Sequence, residues 1–303
     1  MPGEAIRRPG HRLTTAPAWR VRARRVALDR PIVVGILNVT PDSFSDGGDF
    51  FSPDSALRAA ERLLAAGADV LDIGGESTRP RAGAVGEAEE LRRVIPVVRA
   101  VHSRFPDALL SIDTVKSAVA RAALDEGAHI INDVSATRLD EQMAAACAEA
   151  EAGLILMHSR GTVADMASYQ HARYGADVVG EIAAELMGRA EVVQRAGVGS
   201  ASIVLDPGLG FSKRSEHSLA ALAELPRLVA LGYPVMVGVS RKRLIGEITG
   251  VSEPKERVMG TVGVHVAALM RGARLFRVHD VREHRQALDA AWAMLRAGPE
   301  AQA

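Results

Sequence analysis

The sequence predicts a single α/β domain built as a TIM (β/α)8 barrel, and three observations predict it. Eight short apolar runs, rich in β-branched residues, read as strands buried on both faces, the parallel-sheet pattern. Helical stretches alternate with them and are joined by short, repeated punctuation. Every run stops at a polar residue that a buried strand end would not carry without a reason. A length of 303 residues suits one such barrel, and no linker or low-complexity stretch divides the chain. The expected boundaries are a disordered segment over 1–16, the barrel over 17–297 and a short tail over 298–303.

Taken in order, Trp19 to Leu28 reads as a short hairpin preceding the first barrel strand. Val33–Leu37 then stops at Asn38, and Val70–Ile73 stops at Gly74-Gly75-Glu76. Leu109–Ile112 stops at Asp113, and Ile130-Ile131 stops at Asn132-Asp133. Leu154–Met157 stops at His158, and Ile203–Leu205 stops at Asp206. Val235–Val239 stops at Ser240-Arg241-Lys242, and Leu275-Phe276 leads into Arg277-Val278-His279. Between these runs, a helix is expected from Pro53 to Gly67, capped by Ser52, with Asp54 at the positive end of its dipole. Another is expected from Thr114 to Gly127. Gly67-Ala68, Gly127-Ala128 and Gly272-Ala273 each read as a helix end, because glycine accepts the left-handed C′ conformation and turns the chain into the next strand.

Composition excludes several classes. Lys+Arg and Asp+Glu both number 37, so no net field attracts nucleic acid or an anionic membrane. The single Cys147 precludes an internal disulfide and a multi-cysteine zinc site, and its Ala-rich surroundings predict a buried neutral thiol. The first 30 residues are Arg-rich without an apolar h-region, which is no secretory signal, although an organelle transit peptide shares the bias. Val258 to Met270 is the nearest approach to a membrane span, and it is too short. A soluble cytoplasmic protein is expected.

In such barrels chemistry sits on the carboxyl ends of the strands. Arg79, Arg241, Lys242, Arg277 and His279 would therefore meet at one mouth, where guanidinium groups suit a polyanion such as pyrophosphate. Asn38, Thr78 and Ser240 add neutral oxygen or amide groups nearby. Asp113, Asn132 and Asp206 supply acceptors for a flat heterocycle with several N–H donors, and Lys242 supplies a complementary donor. Each acidic residue alone would serve equally well to cap a loop amide; together they favour a ligand. Asp133 and His158 read as rim residues bonded to backbone. The chain has no HExxH, no clustered His/Cys spacing and no P-loop. Two long Gly/Pro/Ser-rich loops, Thr40–Pro53 and Glu76–Glu87, follow the first two strands and suit closure over a site.

These residues carry a family resemblance. Residues 38–48, Asn-Val-Thr-Pro-Asp-Ser-Phe-Ser-Asp-Gly-Gly, and residues 74–80, Gly-Gly-Glu-Ser-Thr-Arg-Pro, resemble the two signature loops of the dihydropteroate synthases. So do Ser111–Thr114, Ile131–Val134, Leu156–His158, Asp206–Phe211, Ser240–Lys242 and Arg277–Val281, in the family's order, and the resemblance extends over roughly 19–295. It implies condensation of 6-hydroxymethyl-7,8-dihydropterin pyrophosphate with 4-aminobenzoate, giving dihydropteroate and pyrophosphate. It further implies that Asp113, Asn132, Asp206 and Lys242 bind the pterin with Met157 against its ring. Asn38 would ligate Mg²⁺, while Arg79, Arg277 and His279 would hold the pyrophosphate. Thr78, Pro80, Phe211 and Ser240 would line the aminobenzoate pocket, where sulfonamides compete. A homodimer is also implied. Arg81 stands where the family has Gly, Ser159 replaces a common Met, and Gly161–Tyr174 is less typical. The alternatives are a pterin-binding methyltransferase, which would lack the Ser-Thr-Arg-Pro loop and the Ser-Arg-Lys cluster, and a pterin-binding paralogue without catalysis.

Overall fold

The computed structural model describes residues 18–39, 53–76 and 85–297. A hairpin of β1 (Ala18–Val21) and β2 (Arg24–Ala27) leads to β3 (Ile32–Asn38) and α1 (Pro53–Ala65). There follow β4 (Val70–Gly74), α2 (Glu87–Arg104), β5 (Leu109–Asp113), α3 (Ser117–Asp125), β6 (Ile130–Asp133), α4 (Met143–Glu149) and β7 (Gly153–Met157). The second half comprises α5 (Val178–Arg195), β8 (Ile203–Asp206), α6 (Ser215–Ala223), α7 (Leu225–Val229), β9 (Met236–Val237), α8 (Arg243–Thr249), α9 (Val258–Met270), β10 (Leu275–Val278) and α10 (Val281–Ala297).

The sheet order is β8-β7-β6-β5-β4-β3-β10-β9, all parallel, and a bridge between Leu205 and Val235 joins the two ends. The predicted eight-stranded barrel is therefore present and closed. The seventh barrel strand is shorter than its apolar run suggests. The Val239 N–H bonds the His265 ring at 3.3 Å instead of a neighbouring strand, so regular pairing covers only Met236–Val237.

Residues two apart along a strand share a face, and here the two faces have different tasks. Val33, Leu71, Leu110, Ile131, Leu154, Ile203, Val237 and Phe276 belong to the cluster that packs on the helices. Their neighbours Ile32, Val34, Val70, Ile130, Ile155, Val204, Met236 and Leu275 face inward at the amino ends of the strands, in one cluster with Trp19, Val21 and Leu28. The hairpin is thus a plug: the Trp19 ring is fully buried and its Nε1–H donates to Ser202 O at 2.8 Å. Arg22 extends the anchorage, donating to Leu124 O and Ala128 O at 3.1 and 2.9 Å. The inward face therefore starts apolar and has room to become polar only toward the carboxyl ends.

The expected helix ends hold. Gly67, Gly127 and Gly272 have φ near +100°, and Ala68, Ala128 and Ala273 each donate to the carbonyl five residues back, at 2.9–3.0 Å. Gly197-Val198 repeats the motif, and Glu151 adopts the same left-handed turn with a side chain. Helix α3 starts at Ser117, later than the expected Thr114. The Thr114 hydroxyl accepts the Lys116 N–H, and Asp140 accepts the Ser117 N–H, so the preceding residues stay in a turn. Cys147 is buried, and desolvation pushes its thiol up to about 12, as a neutral core residue requires. Among the described residues no helix is long and apolar enough to cross a membrane. Ser52 and the outer segments 1–16 and 298–303 lie outside the described residues.

Removing the plug tests its role. Trp19→Ala should cost about 3–5 kcal/mol of unfolding free energy, the usual range for a buried Trp. Denaturant unfolding that shifts by less than 1 kcal/mol would show that the hairpin does not close the barrel.

Candidate active site

By the same two-residue period, the inward face continues from the plug as Asn38, Asp72, Gly74, Ser111, Asp113, Asn132, Met157, Asp206, Gly238 and Arg277. Register pairs Asn38 with Gly74, Gly74 with Asp113, and Asp113 with Asn132, which sets these four positions side by side across the sheet.

Arg277 is the hub. Its Nε donates to Asp72 Oδ2 at 2.6 Å and its Nη2 to Asp113 Oδ2 at 2.7 Å. Asp72 is fully buried, and it also accepts from Ser111 Oγ at 2.6 Å and Asn132 Nδ2 at 3.1 Å. Asn132 is 1% exposed, and its Oδ1 has no hydrogen-bond partner among the described residues. Burial works against the Arg277 charge, yet Asp72 and Asp113 outweigh it and raise its pKa above the ordinary guanidinium value. Burial pushes the Asp113 carboxyl up to about 7; Arg277 opposes the shift and Asp72 adds to it.

Across the cup, Asp206 is 4% exposed and its Oδ1 accepts the Gly208 N–H at 2.7 Å. A Cβ on Gly238 would lie 3.5 Å from Arg277 Cβ and 3.9 Å from Asp206 Oδ2, so the absence of a side chain leaves that space open. Lys242 caps the start of α8, and its Nζ donates to Leu209 O at 2.6 Å and sits 4.3 Å from the Phe211 ring centroid. Desolvation lowers the Lys242 ammonium to about 8 against the attraction of Asp206, and burial raises Asp206 against the attraction of Lys242. Phe211 joins Met157, Val115, Val134 and Met166 in an apolar wall beside these charges. Ser240 Oγ lies 2.9 Å from His279 Nδ1 and accepts the His279 N–H at 3.1 Å.

The structure thus brings Asp113, Asn132, Asp206, Lys242, Arg277, Met157 and Phe211 together, with Asn38, Ser240 and His279 at the same strand ends. Thr78, Arg79, Pro80 and Arg81 lie outside the described residues, as do residues 40–52 of the first long loop. Arg241 departs from the expected anion cluster: its Nε donates to Asp280 at 2.9 Å, and a second N–H also goes to that carboxylate. Asp133 is the expected rim residue, accepting from Ser135 N and Thr137 N at 2.7 and 3.0 Å. His158 is not. Its ring contacts Lys213 Nζ at 2.7 Å and Glu185 Oε2 at 3.0 Å, and burial holds it neutral, lowered to about 4. The atypical Ser159 donates to Val134 O at 2.6 Å, fastening the loop that follows Asn132-Asp133.

Sequence reasoning missed two residues. Asp72 lies inside an apolar run, and the available signal was its even spacing from Val70 and Gly74. Lys213 sits among Ser212, Arg214 and Ser215, which suggests an exposed loop, yet it is 1% exposed. Its Nζ reaches Gly208 O, Phe211 O and His158 O at 3.1–3.3 Å, cross-bracing the turn that presents Asp206. That turn needs glycine: Gly208 has φ +63°, and a Cβ there would sit 1.9 Å from His158 O.

This fold and site define a barrel enzyme with a polar small-molecule site at its carboxyl face. The profile of the pterin binding enzyme family matches residues 34–279. A dihydropteroate synthase of Mycobacterium leprae is 43% identical over 273 residues, covering 88% of this chain and 95% of that relative. The solved dihydropteroate synthase of Xanthomonas albilineans with 4-aminobenzoic acid is 45% identical, with TM-score 0.86, covering 94% of this chain and all of that one. A structure from the same organism holds 7,8-dihydropteroate, at 43% identity and TM-score 0.83 over 93% of this chain and 100% of that one. The chain belongs to the pterin-binding enzymes and, within them, to the dihydropteroate synthase family.

The buried Asp206 carboxylate makes the stability of the protein depend on pH. The Asp206 pKa is raised in the folded protein, so this group's favourable contribution is complete only below its unfolded pKa and is lost as pH rises through the folded one. Asp206→Asn should therefore gain stability relative to the parent protein as pH rises. Thermal unfolding of both proteins across pH should show the Tm difference moving toward the variant as pH rises; a pH-independent difference would contradict this account.

Proposed function

We propose that the chain condenses 6-hydroxymethyl-7,8-dihydropterin pyrophosphate with 4-aminobenzoate, releasing dihydropteroate and pyrophosphate as a transferase of folate synthesis. The single observation that carries the site assignment is the convergence of Asp113, Asn132 and Asp206 as acceptors with Lys242 as donor around one apolar wall. The pterin's ring N–H groups would meet the acceptors, a ring carbonyl or nitrogen would meet Lys242, and Met157 would pack on the ring. Phe211 and Ser240, with Thr78 and Pro80, would border the aminobenzoate, and a sulfonamide would compete there by imitating that amine. Arg277 and His279, with Arg79, would hold the pyrophosphate.

Breaking the methylene C–O bond leaves positive charge that the electron-rich pterin ring spreads, while negative charge grows on the departing pyrophosphate. Asp113 and Asp206 oppose the first charge and Arg277 the second, from positions already set before reaction. An aryl amine is unprotonated at neutral pH and attacks without a strong base, which accords with a His158–Glu185 pair that braces the scaffold. Mg²⁺ fits as a hard ion that keeps waters and substrate phosphates in its shell and takes few protein ligands. Asn38 offers one neutral oxygen on the inward face for it, and the ion when bound would supply charge neutralisation at the leaving group. A cytoplasmic location is part of the same proposal.

Pyrophosphate release on mixing the protein with both substrates and Mg²⁺ tests the reaction, since a methyltransferase or a silent paralogue would release none. Chelation with EDTA should stop release and added Mg²⁺ restore it. Lys242→Ala should abolish pterin binding in a folded protein, and normal turnover by that variant would overturn the pocket assignment.

A homodimer is also proposed. Met259 and Met270 on α9 and Met294 on the adjoining α10 are 76%, 45% and 61% exposed, an apolar strip of the kind that marks an interface. Sedimentation velocity should show a dimer that Met259→Glu with Met270→Glu splits; a monomeric parent protein would dispose of the idea.

A further inference from the structure

We infer that Asp72 is a positioning residue that sets the recognition pattern of the cup by dictating which atom Asn132 presents to the ligand. An amide side chain offers an oxygen on one side and an NH2 on the other, and the two faces are nearly isosteric. Which one meets the ligand depends on the neighbour behind it. Here that neighbour is the fully buried Asp72, which as a carboxylate has only acceptors to offer. Asn132 therefore turns Nδ2 toward Asp72 Oδ2 at 3.1 Å, and its Oδ1, buried and without a partner among the described residues, is left for the ligand.

The surroundings hold Asp72 in this role. Ser111 Oγ occupies its Oδ1 at 2.6 Å, and Arg277 Nε shares its Oδ2 at 2.6 Å. The anchors lie on the neighbouring strand β5 and, two strands away on either side, on β6 and β10, so the carboxylate cannot rotate without breaking several bonds. A buried carbonyl without a donor is costly, and the cost is recovered only by a ligand that brings an N–H to that point. Asp72 thus favours a ring edge rich in donors and disfavours one presenting a lone pair, without touching the ligand. This inference rests on the assignment of the pterin to the cup.

A charge swap isolates the effect. In Asp72→Ala the acceptor behind Asn132 is gone, so its amide is no longer held with Oδ1 toward the ligand and can present NH2 there instead. Binding of the pterin pyrophosphate, measured without aminobenzoate, should weaken by about tenfold or more. Adding Asn132→Asp to that variant restores an acceptor toward the ligand and keeps the charge of the pair. Affinity should then return to within about threefold of the parent protein. Arg277 retains Asp113 in both variants, so its loosening cannot account for the recovery. If Asp72→Ala alone does not fold, the double variant is compared directly with the parent, and near-parental affinity is still required. Parental affinity in Asp72→Ala, or no recovery in the double variant, would overturn the role of Asp72. A parent protein that fails to bind the pterin pyrophosphate would instead overturn the assignment of the cup.

Discussion

The arrangement of the carboxyl face depends on one ion cluster: the Arg277 guanidinium clamped between Asp72 and Asp113. Three carboxylates, Asp72, Asp113 and Asp206, share the inward face of the barrel, where the first and third are buried and isolated charges would be expensive. Arg277 neutralises the first two and Lys242 stands opposite the third. The balance is incomplete by construction. Asp113 and Asp206 are held above the ordinary carboxylate range, and Asn132 keeps an unpartnered oxygen. These residual costs are what a donor-rich ligand removes, which makes them a source of affinity as well as a load on the free protein.

That load is tolerable because the rest of the barrel is conventional. The outward face of each strand packs on helices, and the lower inward face is sealed by Trp19 and its hairpin. A sealed floor allows the polar layer above it to stay shallow and open at one end only. The Lys213 brace is the same solution on a smaller scale. A buried amine satisfies the carbonyls of His158, Gly208 and Phe211 around the left-handed Gly208 turn. Its burial lowers its own pKa well below the ordinary lysine value, so the brace costs charge stability to gain geometry.

Residues at strand ends were legible because a carboxylate, amide or Arg after an apolar run has no ordinary reason to be there. Asp113, Asn132, Asp206, Lys242 and Arg277 stood out in this way and meet in space. Asp72 was hidden by its apolar neighbours, and its importance emerges only when Arg277, distant in the chain, arrives beside it. Arg241 showed the opposite failure. It has the residue type and the position of an anion donor, but Asp280 on the next strand's loop already holds it.

By itself the sequence determined the strand count, the alternation with helices, the glycine-terminated joints and the end of the barrel that carries chemistry. All of these follow from local periodicity, chain reversal and the cost of burying polar groups, which act between near neighbours. Only the tertiary structure decided which polar groups pair with each other and which remain for a ligand. That choice depends on distances of about 3 Å between side chains far apart in the chain, and strand register and barrel closure alone set them.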